Sequence, residues 1–531
     1  MAADKLQRVE WVVALLATAA AVLLSFVFVV HADGLWRDEV NSVNVAMAPS
    51  LSELWRLLEF ESAPVLWVLL LRGWLALFGS SSDLGLRLLG ALGGLAVPAA
   101  VWFAALRLGR SVPLVSLALL AVNPEVIRWG TSLRAWGLGV ALGIVVLVLV
   151  REATADPSRR RILLGGLFAV LSVQCVYQNA VLLAAPIAGA ATVVLAERRW
   201  KRAVVPLGIG LVAALSLLVY LPTLQRIAEW RMLTQAPVTL GMLAARGGAV
   251  FAASGRTVLA CWFAVLGLAL ARGGWRVWIG RRGDRGDVAL FAIVTGLAAT
   301  VGFTLFLLRL QYITQPWYYI GLAAVVAVCA EAAIASCLRS RALRIARLGL
   351  ALLALFAGFS GAWSALQARQ TNLDVIASHL RAHAVRGDLI VVNPWFYAIS
   401  LGRYYHGEAD VTTIPPLEDV RVHRFDLLKD RMQSGGAMYL LHEQTRQVLQ
   451  SGRRVWIVGG IATPPGNASP RSLPPPPLPE TGWDTEPYRM VWTLQLAARL
   501  SAHVEEATLV PIDVPGGPLE GADLLVTRGW R

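Results

Sequence analysis

Charge is scarce in this chain. Of its 531 residues only 15% are charged while 56% are hydrophobic, against roughly 25% charged in soluble domains. That balance excludes an ordinary water-soluble protein. Cysteine is scarce too. Cys175, Cys261, Cys329 and Cys337 all lie within or at the ends of apolar runs. None has metal-ligand spacing, so they read as small packing residues. No cluster of His, Asp and Glu makes a persuasive metal site, and no metal or cofactor is expected. There is no glycine-rich nucleotide-phosphate loop and no Walker motif, which argues against a nucleotide substrate. No clear internal repeat marks a transporter. The first apolar run lacks a small-residue cleavage site and many more runs follow, so it reads as a retained helix.

What the chain has is apolar blocks of about twenty residues, the length at which a helix crosses a bilayer core. Helices are the economical spanning structure, because lipid offers backbone amides no partner. Spans are expected near 11–30, 84–106, 112–127, 134–150, 162–177, 180–196, 203–222, 247–271, 287–309, 316–337 and 346–365. The net charge of +14 comes from short loops between these blocks and implies no nucleic-acid partner. Basic residues gather at Lys5 and Arg8, Arg107 and Arg110, Arg151 to Arg161, Arg198 to Arg202, Arg272 to Arg285 and Arg339 to Arg347. Every second loop is basic, so these loops belong to the cytoplasm. Segments 31–83, 128–134, 177–180, 223–246 and 310–316 then face out, as does everything after about 366.

Residues 64–78, PVLWVLLLRGWLALF, interrupt that count. Were they to cross, every later basic loop would change sides. The run is short and carries Arg72 at its middle, so it reads as an interfacial or re-entrant outer helix begun by Pro64. A twelve-span arrangement is the alternative. Ahead of it, SLSELWRLLEF (50–60) places Leu51, Leu54, Trp55 and Leu58 on one helical face, capped by Ser50 or Ser52. The tail changes character. DLIVV (388–392) and VWIVGG (455–460) read as strands, with amphipathic helix such as VIASHLRAHAV (375–385) between them. The fold class is therefore an α-helical polytopic membrane protein of about eleven spans. Residues 1–366 form the membrane domain and 367–531 an extracytoplasmic α/β domain. A proline-rich loop is expected over 462–480, where Asn467 opens a chance glycosylation pattern.

Directly after the first span comes GLWRDEVNSVN (34–44), with Asp38 and Glu39 adjacent and Trp36 and Arg37 beside them. A carboxylate there is most often a solvated loop residue. Three features favour a site instead. The pair follows the membrane exit at once. The residues after it are semi-apolar. A further carboxylate, Glu61, stands just before Pro64.

The order of these segments resembles the GT-C-type membrane glycosyltransferases, in particular the protein O-mannosyltransferase-like branch that includes the bacterial lipid A aminoarabinose transferases. The carriers are WRDEVNSVNVA (36–46), FESAPVLWVLLLRGWLALFGSSS (60–82), LGLRLLGALGG (84–94), NPEVIRWGTSLRAWGL (123–138) and GDLIVVNPWFYAISLGRYYHG (387–407). The resemblance spans most of the chain through short motifs. It implies a bacterial plasma (inner) membrane enzyme that moves a sugar from a polyprenyl-phosphate donor to a glycan, lipid or protein acceptor at the outer face, with inversion. Some members of the class use a divalent cation and others do not.

On that resemblance Asp38 is the general base, with Glu39 the alternative, which otherwise orients Arg37 or a substrate hydroxyl. Glu61 aligns with a position near the donor. Many relatives carry His, Lys or a second Pro where this chain has Ser62 and Ala63, so a phosphate contact there is in doubt. Arg134, at an outward helix start, is the first substitute, and Arg128, Arg226 and Arg231 follow. A snorkelling arginine is the plain alternative for Arg134. Trp317 stands where the family often has arginine, leaving Trp317, Tyr318 and Tyr319 as an aromatic belt. Trp36, Tyr177 and Asn179 complete the substrate-binding set, the last two as an outward turn able to meet sugar hydroxyls. A flippase or transporter of lipid-linked saccharides is the competing function.

Overall fold

The computed structural model describes residues 2–79, 82–278, 284–338, 340–460, 483–514 and 517–531. The proline-rich stretch 462–480 and Asn467 lie outside them. Among the described residues nine helical segments are long and apolar enough to cross a membrane: Lys5–His31, Asp83–Gly109, Trp136–Ala155, Asn179–Ala196, Trp200–Thr234, Arg256–Trp278, Arg285–Leu310, Pro316–Ala335 and Arg341–Leu366. The protein is a multi-pass membrane protein.

Three expected spans take other forms. Residues 112–127 are two short helices, Val115–Ala121 and Pro124–Thr131. Asn123 begins the second, its Oδ1 accepting the Glu125 and Val126 amides at 3.0 and 3.2 Å, and Pro124 suits the first helical position because it has no amide to satisfy. The span at 162–177 is the 17-residue helix Arg159–Cys175. The one at 247–271 is broken between Leu240–Ala252 and Arg256–Trp278, where Gly255 adopts φ +101°. The ambiguous segment forms a helix, Val65–Phe78, of 14 residues. That is about 21 Å of helix, short of the ~30 Å hydrocarbon core.

The chain separates into two compact units, each discontinuous in sequence. The first comprises Met1–His31, Ser62–Leu221 and Pro237–Gln367; the second comprises Ala32–Glu61, Pro222–Ala236 and Ala368–Arg531. Sequence reading drew a single boundary at 366. Residues 32–61 and 222–236 instead group with the C-terminal residues.

In the membrane unit, missing side chains let helices touch. A Cβ on Gly137 would lie 2.0 Å from the Gly130 carbonyl oxygen, one on Gly90 2.3 Å from that of Ser132, and one on Gly94 2.5 Å from Thr131 Oγ1. These contacts press helix Asp83–Ala104 onto the 130–137 turn, which carries Arg134. They give LGLRLLGALGG its physical meaning. The same unit buries an ion network. Glu331 accepts the Leu114 and Ser116 amides at 2.9 and 3.0 Å and lies 3.4 Å from Arg347, whose side chain is fully buried. Glu10 pairs with Arg344 at 2.6 Å. Arg347, counted among the loop charges, is thus a packed residue of helix Arg341–Leu366.

The second unit holds a five-stranded sheet: β1 (Leu389–Asn393), β2 (Asp410–Thr413), β3 (Val455–Gly459), β4 (Val504–Val510) and β5 (Leu524–Trp530). Its order is β2-β1-β3-β5-β4. β1 is parallel to both neighbours, whereas β5 pairs antiparallel with β3 and β4. β1 and β3 are buried along their whole length, as their unbroken apolar runs require. Ile390, Val392, Trp456, Val458 and Leu524 form the core with Leu373, Ile376 and Leu380 of helix Leu373–His383.

Within helix Trp136–Ala155, Gly143 has open space around it while Gly137 meets backbone. Gly137→Ala is expected to cost about 1–3 kcal/mol by overpacking and Gly143→Ala almost nothing, read as the difference in thermal midpoint of the purified full chain.

Candidate active site

The acidic pair opens helix Arg37–Ala46. Gly34 permits the approach to it: a Cβ there would lie 2.9 Å from Asp374 Cγ and 3.0 Å from Thr371 Cγ2. The Leu35 amide then donates to the Tyr404 hydroxyl at 2.5 Å. Asp38 and Glu39 sit in the first turn, where exposed amides and the helix dipole favour negative charge.

The two carboxylates have different fates. Glu39 is fully buried and accepts the Trp36 amide, 3.4 Å away, as a helix-start cap does. The structure thus places Glu39 as a buried group at the helix start. Asp38 stays partly exposed, its side chain at 22%.

Asp38, Asn41 and Asn44 fall three residues apart, so one helical face presents all three. That face grips the segment 421–423. Asp38 Oδ1 lies 3.2 Å from His423 Nε2. Asn41 Oδ1 accepts the His423 amide at 3.0 Å, and Asn44 Nδ2 donates to the Arg421 carbonyl at 2.7 Å. The second nitrogen of His423, Nδ1, is buried with no hydrogen-bond partner among the described residues. His423 went unnoticed in the sequence.

His423 is also held by rings. Phe60, Trp230, Phe425 and His423 form a run of near-parallel planes, with successive centroids 6.2, 5.1 and 5.9 Å apart and tilts of 17–20°. Trp395 packs edge-on against both His423 and Phe425. Trp395 and Phe396 follow the carboxyl end of β1, the side on which parallel α/β sheets commonly build sites. Arg226, one of the weaker cation candidates, instead pairs with Glu59 at 3.1 Å.

Arg37 is bracketed by carboxylates, 3.0 Å from Glu520 and 3.6 Å from Asp38, and lies over the Phe396 and Trp36 rings. Burial pulls its pKa down, but Asp38 and Glu520 more than offset this and leave it raised. Burial pushes the Glu520 carboxyl up, with Arg37 and Ser400 restraining the rise. Trp36 is buried. Glu61 is buried too and accepts Ser42 Oγ at 2.7 Å and Asn41 Nδ2 at 3.2 Å, so its placement is that of a brace on the acidic helix.

In the membrane unit, buried Arg134 donates to Ser62 Oγ. The two line a small cavity with Ala63, Ala135, Trp136 and Val176. Arg128 is buried, its pKa lowered by that burial, and donates to the Ala365 carbonyl. Asn179 needs correction. It is buried and donates to Gly139 O, Ser172 O and Ser172 Oγ at 2.8, 3.3 and 2.9 Å, so it ties helices together. Tyr177 packs edge-on against Tyr220 at 5.4 Å. Of the expected aromatic belt, Tyr319 is buried on Thr314, while half-buried Trp317 meets Trp129 at 4.5 Å. Among the described residues no three His, Cys, Asp or Glu side chains gather as a metal site.

No protein-family model and no curated protein matches the chain. Solved structures do. ArnT from Cupriavidus metallidurans, in a crystal structure bound to undecaprenyl phosphate, superposes with a TM-score of 0.54 at 12% identity, covering 97% of this chain and 98% of that one. Its apo form gives 0.55 at 12% identity, covering 99% and 98%. The Archaeoglobus fulgidus oligosaccharyltransferase tethered to an acceptor peptide gives 0.48 at 11% identity, covering 96% and 73%. The fold is that of ArnT, the GT-C-type architecture expected from the sequence.

Arg37→Met strands the buried Glu520 carboxylate, and such losses cost about 3–5 kcal/mol. A carboxyl raised on folding favours the folded state below its unfolded pKa and loses that advantage as pH rises. The defect should therefore deepen above about 4.5, the ordinary glutamate value. Adding Glu520→Gln should recover most of it, as followed by thermal midpoint across pH.

Proposed function

We propose that the chain is an inverting membrane glycosyltransferase. It moves a sugar from a polyprenyl-phosphate carrier to a hydroxyl of a glycan, lipid or protein, at the non-cytoplasmic face of a bacterial inner membrane. The observation that carries this reading is Asp38: a part-exposed carboxylate held in the first turn of a helix, in a chain with the fold of ArnT.

The chemistry balances with few groups. The acceptor oxygen attacks the anomeric carbon while the bond from that carbon to the phosphate oxygen breaks. The acceptor's proton passes to Asp38, and polyprenyl phosphate leaves as the anion. A positioned base is worth about 10²–10⁴-fold. Asp38 stands in the first turn of its helix, where the helix dipole favours negative charge. The leaving phosphate is already stable and needs cationic or hydrogen-bonding contacts more than an acid. Arg134, seated on Ser62, is our choice for that contact, and Arg37 beside Asp38 is the second cation. The alternation of basic loops supports the outward placement of the motif.

Asp38→Asn keeps the side chain's shape and removes the base. In cells lacking the wild-type chain, it should lower the transfer-dependent mass shift of envelope glycans, lipids or proteins at least about 100-fold, with normal membrane insertion. Arg134→Gln should lower it about tenfold or more. Wild-type mass profiles from Asp38→Asn would overturn the assignment.

A further inference from the structure

We propose that His423, supplied by the C-terminal residues, is the positioning partner of the Asp38 base. The proposal rests on the transferase reading above. It gives those residues a task within the reaction centre, beyond acceptor binding or stabilisation.

Asp38 takes the acceptor's proton on a carboxylate oxygen, so the orientation of that carboxylate matters. His423 Nε2 lies 3.2 Å from Oδ1, and with its proton on that nitrogen it donates there. Rotation about the carboxylate's last bond would otherwise interchange the two oxygens. A donor fixed on Oδ1 holds the carboxylate in one orientation. The donor is fixed in turn. Asn41 Oδ1 holds the His423 amide at 3.0 Å, Phe425 stacks on the ring at 17°, and Trp395 closes the edge at 83°. Asn41 and Asp38 lie on the same helix, so base and positioning residue are referenced to one rigid element. Buried Nδ1 has no hydrogen-bond partner among the described residues, so the hydrogen bond His423 makes from its ring is the one from Nε2. No proton need leave the ring during transfer. His423 holds the base, and Asp38 does the accepting.

Two substitutions separate positioning from packing. His423→Gln keeps an N–H donor at the length of Nε2 but loses the ring stack. His423→Phe keeps the stack with Phe425 and loses the donor. The readout is the rate at which the transfer-dependent mass shift appears after induction in cells lacking the wild-type chain, normalised to membrane-inserted protein. Misplacing a reacting group by ~1 Å costs about 10²-fold, so His423→Phe should fall roughly 30- to 100-fold. His423→Gln should stay within about threefold to tenfold of wild type. Binding of undecaprenyl phosphate to the purified full-length variants should be unchanged in both. Phe as active as wild type, or Gln no better than Phe, overturns the proposal. Should His423→Phe fail to accumulate, His423→Gln still decides, because a hundredfold loss with the donor retained contradicts positioning. Failure of the transferase reading looks different: Asp38→Asn would then leave the mass profile untouched whatever happens at His423.

Discussion

Three polar side chains on one helical face organise the site. Asp38, Asn41 and Asn44 project from Arg37–Ala46 at three-residue spacing and each holds one point of the 421–423 segment. Asn41 is buried, and a buried polar group is costly unless paired, so the 421–423 segment completes its hydrogen bonding. The neighbouring carboxylates do supporting work. Glu39 closes the start of the helix and Glu61 ties its Asn41–Ser42 face to the end of the loop. Two carboxylates brace, and the third remains open to solvent.

Much of this was legible in the residues. Apolar block length and loop charge identify the membrane fold, and the acidic pair after the first span picks out the candidate site. Arg134 drew attention as a cation at an outward helix start, and it donates to Ser62. The Asn123–Pro124 pair was a visible helix start inside a supposed span, and its cap went unread. His423 gave little warning. It stands 385 residues from Asp38, in a stretch without period, and a lone histidine is rarely informative. The available signal lay on the other partner: two asparagines in register with Asp38 on a semi-apolar helix announce a polar face that something must cover.

Other misreadings share a cause. Asn179 and Tyr319 looked like outward turn and belt residues because they flank apolar runs. Their partners, Gly139, Ser172 and Thr314, are set by tertiary packing that spacing does not report. Arg347 was counted with the loop charges that orient the chain, yet it sits fully buried near Glu331. A charge tally can give a sound topology while misplacing individual members.

The second unit is interleaved with the first along the chain, in pieces 32–61, 222–236 and 368–531. Synthesis proceeds from the N-terminus, so the acidic helix is among the earliest parts made. Its partners Arg421 and His423 arrive some 380 residues later, after every span has been translated. The candidate site is begun first and completed last. A chain that ends before residue 421 therefore carries the acidic helix without the segment that its Asp38, Asn41 and Asn44 hold.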